Sequence, residues 1–441
     1  MGDGVMRSSL GSRFGRVAVA VAVIVSAAVG AGTGPVAAAT ITFGTPSASS
    51  AFGDGVRFVQ PYFGSADFRE VDIVIDYPGS FGPSVAKVEK PGASSFSYKL
   101  DTSSGELQPN TQLVARFEIT FTDGTVEDGP DINITYLDDR FKWQTKVGKV
   151  VRLHWYQGDD AFADQALQMG ERGIAAAADF MDHAEAAPID FYVYADRTPF
   201  YDALGPSTRE NVGGEANTQT RTLFALISPS ELAYAATVVP HELTHVAFDD
   251  ATTNPYHQPP HWLNEGIAVY VSQGFDLSDK QLVGEAASGG GLMPLAAIRG
   301  QFPTTQDRFY LAYAESVSAV DYFVRTYGHD DLVKLVKSFG TGASDDEAFQ
   351  TAIGMGVDAF DKAWMKANGV TDLQSFGPQP APTGPVPSDW IGGGAAPGGG
   401  NGGRSQEGIP AIVLVAGAGV ALLALILLVV VSRRRSSRGA A

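Results

Sequence analysis

The chain has 441 residues, 44% of them hydrophobic and 18% charged, a globular balance with room for two domains of usual size plus tails. It carries 31 Lys+Arg against 49 Asp+Glu; without the three Arg and one Asp of residues 1–39 and the four Arg of residues 432–441 the net charge is −24, which argues against nucleic-acid binding and for solubility outside the cell. Zero Cys excludes disulfides, thiol nucleophiles and cysteine metal sites, so any metal must be held by His and carboxylates.

At the start, Arg7, Arg13 and Arg16 precede an apolar run over 17–29 and a small-residue stretch ending Ala37-Ala38-Ala39. This reads as a signal peptide over 1–39 with the mature chain beginning near Thr40, an uncleaved anchor being the alternative. Residues 40–137 follow period two, clearest over 113–121, where Leu113, Ala115, Phe117, Ile119 and Phe121 alternate with mostly polar neighbours. That run ends at Thr122-Asp123-Gly124-Thr125, a hairpin signal, because the central positions of a type I′ turn need positive φ. Similar runs at 71–77 and 132–136 predict a small antiparallel β-sandwich.

Residues 138–375 change to mixed α and β, with strands predicted at 150–155, 189–194 and 222–227, a helix at 161–184, and mainly helices from 231 to about 367. The 222–227 strand is expected to lie at the sheet edge, free to pair with an extended substrate. Residues 376–408 are Pro- and Gly-rich, as a flexible stalk is. Residues 411–431 are apolar without one charge, long enough for a transmembrane helix, and Arg433, Arg434, Arg435 and Arg438 follow in the tail 432–441. Basic clusters stay cytoplasmic, so the expected location is the cell membrane, single-pass, with the ectodomain extracellular.

The chemistry is concentrated in His241-Glu242-Leu243-Thr244-His245, set in an apolar frame. On a helix, residues four apart differ by only about 40° around the axis, so both imidazoles leave one face and can chelate one cation. Glu242 projects beside them, where a carboxylate can take a proton from water that zinc has made acidic and pass it to a leaving amine. A third ligand is needed. Glu265, in Trp262-Leu263-Asn264-Glu265-Gly266, lies far enough on to return on a second helix. His257 and His261 are nearer alternatives but sit in the Pro-rich connection, as loop and helix-start residues, while His154, His183 and His329 are scattered singly and read as structural.

Together, His241-Glu242-Leu243-Thr244-His245 and Trp262-Leu263-Asn264-Glu265-Gly266 resemble the gluzincin superfamily, which includes thermolysin and the aminopeptidase N family, and most closely the peptidase MA-like membrane or secreted metallopeptidases of bacteria. The resemblance spans about residues 138–370. It implies Glu265 as the third metal ligand. The metzincin pattern does not apply, since Phe248 and Ala251 stand where it needs Gly and His. In the aminopeptidase branch a Tyr on a comparable later helix donates its hydroxyl to the oxyanion, and Tyr313 resembles it, with an ordinary core aromatic as the alternative.

Two departures from the relatives stand out. Thermolysin-like enzymes place an Asp four residues after the third ligand to orient the first His, but Val269 is there, so those partners must be built differently. Gly213-Gly214-Glu215-Ala216-Asn217 is similar to the aminopeptidases' Gly-x-Met-Glu-Asn loop with the Glu out of register, which leaves endopeptidase and aminopeptidase action both open, the former ahead.

The sequence thus predicts an α+β fold: a gluzincin-like metallopeptidase domain preceded by a small antiparallel β-sandwich, with a C-terminal transmembrane helix. It predicts one Zn2+ per chain on His241, His245 and Glu265, catalysis by Glu242 and Tyr313, and a peptide or protein substrate. The competing functions are a non-catalytic cell-surface binding module with a structural metal and a metallohydrolase of non-peptide substrates.

Overall fold

A computed structural model describes residues 41–370 apart from 65–67, 81, 90, 185–186, 207, 209–212 and 231; the predicted signal peptide, stalk, transmembrane run and basic tail lie outside the described residues. No helix among the described residues is long and apolar enough to cross a membrane.

The first unit is all β: β1 (Thr42–Phe43), β2 (Ser47–Ala51), β3 (Gly55–Phe63), β4 (Phe68–Asp76), β5 (Ser84–Lys87), β6 (Ser95–Asp101), β7 (Thr111–Phe121), β8 (Val126–Asp128) and β9 (Ile132–Tyr136). In one sheet β3 pairs antiparallel with β1, β2 and β6; in the other the order is β5-β4-β7-β8, with β9 also on β7. Along β7 the residues from Thr111 to Phe121 alternate between buried and partly exposed, as the period-two pattern requires. Val56, Phe58 and Phe96 of the first sheet share one core with Ile73, Phe117 and Ile119 of the second, which is the face-to-face packing of a sandwich.

The second unit begins with β10 (Gln144–Val147), β11 (Val151–Trp155), α1 (Asp160–Met181), β12 (Ile189–Tyr194), α2 (Arg197–Leu204), β13 (Gly214–Asn217) and β14 (Thr222–Leu226). Its sheet runs β10-β11-β12-β14-β13, parallel from β11 through β14 and antiparallel at both ends. Every residue of β12 is buried, as expected of a strand covered on both faces. Here the structure corrects one expectation. The 222–227 strand is not the edge, because β13 folds back on it, and β13 is too short and glycine-rich to show in the periodicity.

Helices α3 (Leu232–Thr252), α4 (His261–Ser272), α5 (Leu277–Gly289), α6 (Gln306–Tyr327), α7 (His329–Gly340), α8 (Asp345–Ile353) and α9 (Val357–Ala367) follow. Helix α3 joins Val239, Leu243 and Val246 to a core shared with Ile174 of α1, Phe191 and Leu223 of the sheet, Ile267 of α4 and Val320 of α6. A helix buried around so much of its circumference lies in the middle of a domain. Helices α4 and α6 cross so closely at Gly266 that a Cβ there would meet the Ser316 carbonyl oxygen at 2.5 Å.

Gly266→Ala should therefore force the two helices apart and cost about 1–3 kcal/mol, the usual penalty of overpacking. The expected result is a lower urea midpoint with an unchanged slope. A midpoint equal to the parent's would show that α4 and α6 do not meet this tightly.

Candidate metal centre

Helix α3 brings His241 and His245 to one face, one turn apart, and their Nε2 atoms lie 3.2 Å from each other. Helix α4 returns alongside and places Glu265 Oε2 at 3.4 Å from His241 Nε2 and 3.6 Å from His245 Nε2. One ligand atom from each of the three residues lies within 4.8 Å of the others, the single such His/Asp/Glu group of three or more among the described residues. All three side chains are buried.

Burial explains the protonation states. It pushes His241 down to about 4 and lowers His245, so both imidazoles are neutral near pH 7 and offer lone pairs. Burial also raises the Glu265 carboxyl, against the pull of His245, His261 and the Tyr313 hydroxyl toward the charged form. Two neutral imidazoles and a carboxylate converging out of water are costly alone and well suited to one divalent cation. Two nitrogens, one carboxylate and no thiolate form the His2Glu donor set of an open zinc site. The residues present fit a single zinc ion.

Position 269 supplies no partner for His241, whose Nδ1 is buried without a hydrogen bond; the orienting partner that the structure shows is Asn264, and it serves His245. His245 Nδ1–H donates to Asn264 Oδ1 at 2.8 Å, which leaves Nε2 as the lone pair turned to Glu265 and His241. Thus α4 delivers a ligand and its neighbour's orienter from adjacent residues. The sequence displayed Asn264 within the motif, but no spacing rule revealed its role.

Glu242 is buried beside this group and outside it, with Oε2 accepting from the Ala216 N–H of β13 at 3.2 Å. Its carboxyl is raised well above the usual range, first by burial and then by the charges of Glu265 and Glu215. The strand can come this close because position 214 is glycine: a Cβ there would lie 3.0 Å from Glu242 Cγ and 2.7 Å from Val238 Cγ1. Tyr313 on α6 is buried, its ring centroid 6.4 Å from that of His241 and wedged between Phe302 and Phe309.

His261 opens α4 one turn before Glu265 and approaches Oε1 at 3.6 Å, on the oxygen opposite the one facing His241 and His245. His257 is elsewhere, bound to Asp345 at 2.8 Å. His154 is held by Asp190 and stacked on Tyr192, and His329 donates to the Phe180 carbonyl, so both are structural.

The family model described as Peptidase MA superfamily matches residues 170–368, which include His241, Glu242, His245, Glu265 and Tyr313. Residues 170–368 thus form a domain of the Peptidase MA superfamily type. Among solved structures, the chain is similar to the M1 zinc metallopeptidase from Deinococcus radiodurans at 12% identity and TM-score 0.37, covering 78% of this chain and 95% of that one. An aminopeptidase N family protein from Idiomarina loihiensis is similar at 12% identity and TM-score 0.33, covering 75% and 60% respectively. No curated protein matches. The Peptidase MA-type domain extends over α3, α4 and α6, the three helices that carry the centre.

For this domain, Asn264→Ala should weaken zinc retention by about 10–100-fold, the usual cost of losing a ligand's orienting partner. Glu265→Ala should weaken it further and His257→Ala should leave it unchanged. Metal content after dialysis against graded chelator checks all three; zinc lost with His257→Ala and kept with Glu265→Ala would move the ligand set.

Proposed function

We propose that this chain is a peptide-bond hydrolase anchored at the outer face of a membrane, with His241, His245 and Glu265 holding zinc and Glu242 acting as general base. The observation that carries the reading is the placement of Glu242: a buried carboxylate beside the metal-binding group, not part of it, and fixed by a backbone N–H.

When bound, zinc supplies Lewis acidity that polarises a carbonyl and makes water easier to deprotonate near pH 7. Glu242 takes the proton of the attacking water as its oxygen bonds to the peptide carbonyl carbon. It then hands that proton to the leaving nitrogen as the C–N bond breaks. A group that accepts and returns a proton works best with a pKa between those of free carboxylates and amines, the direction in which burial moves Glu242. Tyr313, beside His241, donates its hydroxyl to the oxygen on which charge develops.

Strand β13 is the edge beside Glu242, and its outer main chain suits an extended substrate. Its side chains support endopeptidase action. Gly214 packs toward Glu242 and Ala216 shares that face by alternation, whereas Glu215 turns to the opposite face, where Gln108 holds it. A carboxylate turned away from the site does not select a free amine.

Glu242→Gln should keep zinc content and melting temperature while hydrolysis falls by about 10²–10⁴, the usual worth of acid–base help. Tyr313→Phe should lower it by about 10²-fold as an oxyanion donor. A Glu242→Gln variant that cleaves peptides at the parent's rate would rule out this mechanism.

The membrane reading rests on residues 411–431 and the Arg cluster after them. Protease added to intact cells should release the ectodomain by cutting within 376–408, and protection of that stretch while external control proteins are digested would reverse the orientation.

A further inference from the structure

We propose that Gln108, from the β-sandwich, is a positioning residue for the general base, so that the sandwich is a working part of the active site. The inference rests on the peptidase reading of Glu242. Its basis is the way three consecutive residues of β13 are held.

The middle residue, Ala216, gives its N–H to Glu242 Oε2. Both of its neighbours are held by the same side chain. Gln108 Nε2 donates to Glu215 Oε1 at 2.7 Å, and Gln108 Oε1 accepts from Asn217 Nδ2 at 2.7 Å. The amide also donates to the Leu204 carbonyl at 3.3 Å, and the Gln108 carbonyl is itself fixed by the Thr111 hydroxyl at the start of β7, 2.7 Å away. Gln108 therefore runs from the root of a sandwich strand to both sides of the residue that touches the base.

The strand needs such support. β13 has four residues, follows Gly213, and among the described residues has only β14 as a ladder partner. Its Ala216 N–H points off the edge of the sheet, where no further strand among the described residues fixes it. Thr208 adds a long bond to Glu215 Oε2 at 3.4 Å, which leaves Gln108 as the partner at short distance. The sandwich is tied to the same sheet at a second point, since Asn110 Nδ2 donates to Asp190 Oδ2 at 3.0 Å and to Thr222 Oγ1 at 2.9 Å. Loss of Gln108 should thus leave the two units joined and loosen β13 locally.

The test uses the full-length, zinc-loaded chain and a mixture of internally quenched octapeptides. Gln108→Ala should lower kcat about tenfold through misplacement of the base, with zinc content unchanged. Gln108→Glu and Glu215→Gln should each be slowed, since one sets two carboxylates together and the other two amides. The double variant Gln108→Glu/Glu215→Gln again faces one amide with one carboxylate and should recover most of the loss. Parental kcat in Gln108→Ala, or a double variant as slow as its slower single, would overturn the proposal. Should Gln108→Ala not fold, the double variant against its two singles decides alone. A parent that holds zinc yet cleaves no peptide would overturn the peptidase reading and this role with it; an active parent beside an unaffected Gln108→Ala overturns only the role.

Discussion

A carboxylate shut away from water lies at the centre of this domain: Glu265 is 0% exposed, and burial raises its carboxyl against the pull of His245, His261 and the Tyr313 hydroxyl. Burial of an unpaired charge is among the most expensive things a fold can do. The neighbouring imidazoles do not relieve it, because burial keeps His241 and His245 neutral as well. A divalent cation resolves all three groups at once. The close crossing of α4 and α6 at Gly266, the Asn264 bond to His245 and the central position of α3 all serve to hold these groups where one cation satisfies them.

The same constraint separates the tasks of two neighbouring residues. His241 and Glu242 are consecutive on α3, yet one joins the metal-binding group and the other accepts from β13. A helix turns about 100° per residue, so adjacent side chains address different surroundings. In the proposed mechanism Glu242 thereby remains free to move protons while its neighbour is committed to the metal, and the Ala216 N–H of the edge strand fixes where its carboxylate lies.

Much of this was legible in the residues. The four-residue spacing of His241 and His245, the second motif around Glu265, and the period-two run through β7 each carry a physical rule readable in one dimension. Other features obey no such rule. β13 is four residues long and opens on glycine, so its pattern is too short to register, and the strand that follows it was read as an edge for that reason. Asn264 looked like part of a motif, although its role depends on which way His245 turns. Gln108 stands more than a hundred positions before the residues it holds, in a loop of a different unit, and only the folded chain brings them together. A one-residue register change also decides the face Glu215 takes, since alternate side chains on a strand point opposite ways.

Anomalous diffraction at the zinc absorption edge from crystals of the metal-loaded chain tests the central claim most directly. The account predicts one peak per chain, about 2.0–2.2 Å from His241 Nε2, His245 Nε2 and a Glu265 oxygen, the ordinary zinc–ligand distances, with Glu242 outside bonding distance. A peak centred on His257 or His261, or a fully metal-loaded protein with no peak between α3 and α4, would contradict it.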